Sequence, residues 1–329
     1  MSQVTSNEIP GTTYFTHPLV EESLQCLPAA LEHPTPESFR AYLIEHLPQN
    51  SLTTRKRAAA RIVERFSLQD CINLDLARAL KKYGNSQTGR EIFYFEYIQA
   101  IPLLKEIAIR WLAALPETGG SRQSLLDFIE PRFRGRDVVK VAKHSAQALN
   151  VLGKLSRPKP GQFKAIWSEP PLEAFLYILA RIFPERSMVQ VETFSGENAI
   201  RAMLWPMPCI PELLKAAQQA GHVSKISQLD QYHQFTLAGT GIERMRMLLG
   251  DAGPVLAGRS DAQPPPSEAM GERPVGRFKA DSVAYKVKEE ALGEDIGAPG
   301  AKPQDQPELF GQLANGTTPE KKGKIFHAR

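Results

Sequence analysis

The chain has 329 residues, 42% of them hydrophobic and 23% charged, with a formal net charge of +4. That is enough apolar material for two or three packed domains, and too little net charge to imply a polyanionic partner by itself. No segment approaches the ~18 uninterrupted apolar residues of a membrane span, and the widely separated Cys26, Cys71 and Cys209 argue against a disulfide framework and for a reducing compartment.

The first residues show no basic leader followed by an apolar run, so no secretory signal is expected. A cytoplasmic protein without membrane contact follows as the expectation. What the whole-chain charge hides is its distribution. Between Arg122 and Lys164 there are ten Lys/Arg against three acids, and between Arg55 and Arg65 five basic residues against Glu64 alone. Clustering of this kind bears on nucleic-acid binding more than the total does.

Residues 1–17 are polar, contain Pro10 and Gly11, and read as a flexible arm. Helical periodicity runs through residues 18–116 and predicts an N-terminal helical bundle. Val20 to Ala30 gives a short helix. Thr35 or Ser38 can cap the next, which carries Phe39, Tyr42, Leu43 and Leu47. The stretch Thr53 to Phe66 places Ala58, Ile62 and Phe66 at core spacing, with Thr53 or Thr54 as N-cap. Its exposed side carries Arg55, Lys56, Arg57 and Arg61, and two readings stay open: a phosphate-contacting track, or a solvated basic face paired with acidic side chains. Asp70 to Tyr83 is a further helix. The apolar segment from Gly89 to Leu115 should be split or kinked by Pro102. Its aromatics, Phe93, Tyr94, Phe95, Tyr97 and Trp111, are read as core rather than as a stacking platform.

Residues 117–170 hold the most informative pattern. Ser121 to Phe133 is a short helix frayed by Pro131, and Arg134-Gly135-Arg136 is the turn that follows. From Asp137, an N-cap candidate, Val138, Val141, Ala142, Ser145, Ala148, Leu149, Leu152 and Leu155 form a small-to-apolar stripe. Lys140, Lys143, Gln147, Asn150 and Lys154 recur at steps of three and four and share the opposite face. Then come a basic turn, Ser156 to Gly161, and a strand-like alternation of Phe163, Ala165 and Trp167. Helix, turn, helix and basic hairpin, in that order, resemble a winged helix-turn-helix. On this reading Lys140, Lys143, Gln147, Asn150 and Lys154 face the major groove, while Arg134, Arg136, Arg157, Lys159 and Lys164 hold phosphates from the turn and wing.

Residues 171–251 read as a second helical segment: a buried helix from Pro171 to Phe183, a strand near Ser187 to Thr193, and a helix from Pro211 to Ala220. Strand-like stretches follow around Val223 to Ile226 and Tyr232 to Leu237, then a last helix from Gly239 to Leu249. This could be a second winged module, but its weaker basic charge favours a packing or dimerisation element. Over residues 252–329 nine Pro and ten Gly, with few large apolar residues, mark a disordered tail. The fold class expected is therefore mainly α: a helical bundle with one or two winged helix-turn-helix-like modules and a disordered C-terminal tail.

No Gly-rich phosphate loop, His-Glu-x-x-His, paired cysteine or Gly-x-Ser-x-Gly is present, and the histidines 17, 33, 46, 144, 222, 233 and 327 are dispersed. A non-enzymatic protein without cofactor or metal is expected. Taken together, Thr54-Arg55-Lys56-Arg57 with Arg61, the Phe93 to Trp111 helices and Arg136 to Trp167 are similar to the BrxA proteins of BREX phage-defence systems, over about residues 35 to 250. That resemblance implies a helical, NusB-like body that binds double-stranded DNA without catalysis, as an accessory or regulatory component that meets other proteins of the same defence complex. The long Pro/Gly tail departs from the compact pattern of that family. An interaction scaffold, or RNA binding in the manner of NusB, are the alternatives.

Within the tail, Gln306, Leu309 and Phe310 lie in a Gln-Pro-Glu-Leu-Phe stretch that resembles peptides docking on the bacterial sliding clamp, two apolar anchors on a tether. Pull-down by the clamp should be lost in Leu309→Ala/Phe310→Ala, and equal recovery of the two proteins would remove this assignment.

Overall fold

A computed structural model describes residues 17–133, 137–229 and 232–250. Except for His17, the expected arm lies outside the described residues. So do Arg134, Arg136 and the whole tail, including Gln306, Leu309 and Phe310. The fold is mainly α, with short antiparallel strands.

In chain order, α1 (Val20–Cys26) and a 3₁₀ turn (Leu27–Leu31) lead into α2 (Pro36–His46) and α3 (Leu52–Phe66). A two-strand clasp, β1 (Ser67–Leu68) and β2 (Cys71–Ile72), precedes α4 (Leu74–Tyr83), α5 (Gln87–Ala100) and α6 (Pro102–Glu106), which runs on as a π-helical turn, Ile107–Leu112. Side-chain caps set several of these starts, as the physics of orphan N–H groups requires. Thr35 Oγ1 accepts from the Ser38 amide at 3.2 Å, Ser51 Oγ from Thr54 at 3.1 Å and Asn73 Oδ1 from Leu76 at 3.1 Å. The cap of α3 is thus Ser51, two and three residues before the expected Thr53 or Thr54. Pro102 acts as anticipated: it sits at the first position of α6, after Ile101 leaves helical geometry.

The remaining described chain contains two units of one connectivity. In the first, β3 (Gly120–Ser121), α7 (Arg122–Ile129), α8 (Val138–Val151), β4 (Leu155–Ser156) and β5 (Gln162–Ala165) form a three-stranded antiparallel sheet in the order β3-β5-β4. After α9 (Leu172–Ile182) comes the second unit. It runs through β6 (Met188–Gln190), α10 (Val191–Gly196), α11 (Asn198–Ala202), α12 (Ile210–Gln219), β7 (Val223–Leu229) and β8 (Tyr232–Leu237), with sheet order β6-β8-β7. Strand, helices, strand, strand, with the last strand in the middle of the sheet, is the winged helix-turn-helix arrangement, and the chain builds it twice. Helix α13 (Gly241–Leu249) closes the described chain, opened by a Thr240–Glu243 capping box.

Helix α5 is the hub. Nine of its fourteen residues are buried, as a helix apolar on all sides must be. Two of those nine are carboxylates, Glu91 and Glu96, five residues apart and so about 140° apart around the helix. Each is matched from a different direction. Glu91 Oε1 accepts from Lys154 Nζ at 2.6 Å, and its Oε2 from Trp205 Nε1 at 3.2 Å. Lys154 also donates to the Met203 carbonyl at 2.9 Å, and its ammonium lies 5.1 Å from the centre of the Tyr94 ring. Glu96 Oε1 accepts from Tyr177 Oη at 2.8 Å and from Arg181 Nε at 2.9 Å. Burial pushes the Lys154 pKa down and the charge of Glu91 opposes that; burial, with Glu96 beside it, raises Tyr177 well above its usual range.

Removing one member of a buried pair strands the other, at a cost of about 3–5 kcal/mol, whereas replacing both by apolar groups can be neutral. Lys154→Ala or Glu91→Gln should therefore lower the unfolding free energy by about that much in urea titrations, and Glu91→Leu/Lys154→Met should recover most of the loss. Single variants within about 0.5 kcal/mol of the parent, the range of ordinary surface changes, would refute the assignment.

Candidate nucleic-acid interface

The helix-plus-wing element is held in place by backbone contacts. Gly120 and Ser121 of β3 pair with Phe163 and Gln162 of β5. Ser121 Oγ caps α7 through the Ser124 amide at 3.0 Å, and the Arg122 amide donates to the Gly161 carbonyl at 2.8 Å, tying the start of α7 to the wing. Gly119 precedes this strand with φ +86°, and a Cβ there would lie 2.4 Å from the Phe163 carbonyl oxygen, so only glycine permits the approach. Phe163 points into the core, edge-on to Trp111 at 5.9 Å.

Helix α8 is capped by Asp137, whose Oδ1 accepts from the Lys140 amide at 3.0 Å. It buries Val141, Ala142, Ser145, Ala146, Ala148 and Leu149 and exposes Lys140, Lys143, Gln147 and Asn150. Half-buried His144 lies beside His17, the rings 5.7 Å apart. Between α7, α8 and the wing is a hollow of about 580 Å3, into which Arg122, Lys143, Arg157 and Lys159 converge. No carboxylate lines it, and none of the four cations makes an ion pair among the described residues. The Arg157 guanidinium lies 5.9 Å from the centre of the Phe163 ring. Four positive groups around one depression, with no acid in its lining among the described residues, raise the local positive potential.

Lys143, Arg157 and Lys159 are thus brought together, with Lys140 and Gln147 on the exposed side of the same helix. Arg122 belongs with them and was not singled out from the sequence. Only the pairing of residues 120–121 with 162–163 reveals it, since the wing lies more than thirty positions away in the chain. Val139, 51% exposed on α8, also offers an apolar contact that the polar-face reading passed over.

Other expected members go elsewhere. Lys154 is only 1% exposed and cannot face a groove. Helix α8 ends at Val151, Gly153 takes φ +73°, and the Lys154 amide bonds back to the Leu149 carbonyl at 2.9 Å. The left-handed turn breaks the three-and-four spacing and sends Lys154 inward to Glu91. Asn150 uses one of its two Nδ2 donors on the Leu155 carbonyl at 2.8 Å, so it braces the turn. Lys164 is exposed, but it alternates with Phe163 along β5 and therefore projects from the other face of the sheet.

The α3 residues stand on a different element, packed on α2 and α5. Arg55 donates to the Ile44 carbonyl at 3.0 Å, at the C-terminal end of α2, and Arg61 pairs with Glu64 at 2.9 Å. Lys56 and Arg57 are exposed. The solvated, partly paired face thus describes Arg55 and Arg61 better than a phosphate track does. Among the described residues no three His, Cys, Asp or Glu side chains converge as metal ligands, and no helix is long and apolar enough to cross a membrane.

The chain matches no protein-family profile and no curated protein. Two solved structures are similar to it. One, described as an SspB crystal structure, is 10% identical over 72% of this chain and 88% of that one, with a TM-score of 0.49. Another, a magnesium ion-bound SspB, is 12% identical over 71% and 87%, with a TM-score of 0.48. A likeness of that degree carries no argument about what this chain binds.

Cations that hold the fold together are costly to remove, and those that do not are free for a ligand. Arg122→Ala, Lys143→Ala and Lys159→Ala should each shift stability by less than about 0.5 kcal/mol in thermal or urea unfolding. A loss of more than about 2 kcal/mol for any of them would show that its charge serves folding rather than recognition.

Proposed function

We propose that this protein binds double-stranded DNA through its first winged unit, without catalysis. The observation that carries the reading is the convergence of Arg122, Lys143, Arg157 and Lys159 on one hollow beside the exposed side of α8. Cations placed this way neutralise phosphates and release counterions. Lys140, Lys143 and Gln147, on the exposed face of α8, supply the side-chain types that reach base edges. The placement in a BREX-like phage-defence system, as an accessory or regulatory component alongside other proteins of that complex, rests on the resemblance to BrxA proteins alone.

A scaffold role is favoured for the second winged unit. The exposed residues of α12 include Glu212 and Lys215, one acid and one base, with Gln218 and Gln219. Met188 on β6 and Ile242 and Met247 on α13 are exposed by 64%, 63% and 53%. Such a surface suits a protein partner better than a phosphate backbone.

Fluorescence anisotropy with random-sequence duplex across a salt series tests the first reading. Binding should weaken steeply with salt, and Arg157→Ala/Lys159→Ala should weaken it alike for all sequences, flattening the slope of log K against log salt by about 1–2. Lys215→Ala, on the second unit, serves as the control and should leave the affinity unchanged. No binding at about 50 mM salt, equal affinity of the wing variant, or preference for single-stranded RNA in the same assay would each overturn the proposal.

A further inference from the structure

The hollow between α7, α8 and the wing is concave and two-faced. Its cations are Arg122, Lys143, Arg157 and Lys159, but much of the rest of its lining is apolar, including Leu125, Ala142, Ala146, Pro158, Pro160 and Phe163. A duplex backbone presents phosphates on a convex surface, for which a flat or ridged row of cations suffices. It gives no use to a recessed apolar lining. At about 580 Å3 the hollow falls within the ~300–1,000 Å3 range of sites that enclose one small ligand.

An unpaired nucleotide has the matching pair of properties, an anionic phosphate and a flat apolar base. Arg157 brings a planar guanidinium to the hollow, and stacking of a base on such a plane is a recurrent way proteins hold unpaired nucleotides. We infer that the hollow receives one unpaired nucleotide of the bound DNA, extrahelical or at a strand end. Its phosphate would sit among the four cations and its base against the wing prolines and the Arg157 guanidinium plane. The inference rests on the DNA-binding reading and adds to it a preference for duplexes with a base out of the stack, since such a base no longer has to be unpaired at the protein's expense.

The wing geometry supports a preformed site. Gly161 takes φ +75°, and its carbonyl is held by the Arg122 amide at 2.8 Å, while the Gln162 amide bonds to the Lys159 carbonyl at 3.0 Å. The turn that carries Pro158 and Pro160 is therefore closed on itself and tied to α7, so the ligand would enter a shaped depression rather than order a loose loop.

The experiment compares two duplexes with the full chain: one blunt and fully paired, the other identical except for one extra, unpaired 2-aminopurine at its centre. The bulged duplex should bind about tenfold more tightly, and its fluorophore should become shielded from acrylamide on binding. Pro158→Ser/Pro160→Ser, which alters only exposed wing residues, should erase the difference while leaving the blunt duplex bound as before. Equal affinities for the two duplexes, or a 2-aminopurine that stays as open to acrylamide as in free DNA, would overturn the inference and leave duplex binding intact. Failure of both duplexes to bind would overturn the DNA reading along with it.

Discussion

A carboxylate on the buried face of a largely enclosed helix is the constraint around which this structure is arranged. Glu91 cannot remain charged in an apolar interior without donors, and it has two, Lys154 from the turn after α8 and Trp205 from the approach to α12. The ammonium in turn needs acceptors and finds the Met203 carbonyl beside the Tyr94 ring. Three stretches far apart in the chain are thereby brought to one point: the hub helix, the turn between α8 and the wing, and the second winged unit. Lys154 stands directly between the end of α8 and the start of β4, so fixing it fixes where the helix stops and where the wing begins. The exposed side of α8 is positioned from within the core, by a charge that never meets solvent.

The consequence for electrostatics is a separation of duties among cations that look alike in the sequence. Lys154 and Arg181 are held by core carboxylates, and Arg65 by the carbonyls of His17 and Pro18 at 2.7 and 2.6 Å. Arg122, Lys143, Arg157 and Lys159 have no carboxylate partner among the described residues and lie around one hollow. Exposed charges act together only within about 10 Å at 0.1 M salt, so four cations around one depression act as a site. This is how a chain with a net charge of only +4 concentrates positive potential in one place. The basic residues of α3 are a separate matter, since that helix packs on α2 and α5 and Arg55 and Arg61 already have partners.

Much of the local structure was legible because it depends on neighbours in sequence. Proline at the start of α6, Asp137 as the cap of α8 and the Val141–Leu149 stripe all follow from periodicity and short-range hydrogen bonding. Legibility failed where a long-range contact decided the outcome. Lys154 sits at the right spacing to continue the polar face of α8, yet the turn at Gly153 ends the helix first, and a carboxylate sixty-three positions earlier then captures the side chain. Glycine is the residue that most often follows a helix end, and at Gly153, with φ +73°, it outweighs the three-and-four spacing. Arg122 was missed for the complementary reason: the strand pairing that sets it beside the wing involves two residues, too few to leave an alternating pattern.

The repetition of one connectivity in a single chain separates what topology provides from what charge provides. Both units place a helix against a three-stranded sheet with a hairpin at its side. Yet the exposed side of α8 carries Lys140 and Lys143 without an acid, while that of α12 balances Glu212 against Lys215. A fold by itself does not assign a partner, and here the two copies serve as each other's control. Whatever surface property the architecture confers must be common to both. The convergence of four cations on one hollow is found in the first. The second keeps the connectivity, balances acid against base on α12 and has Met188, Ile242 and Met247 exposed nearby in the chain.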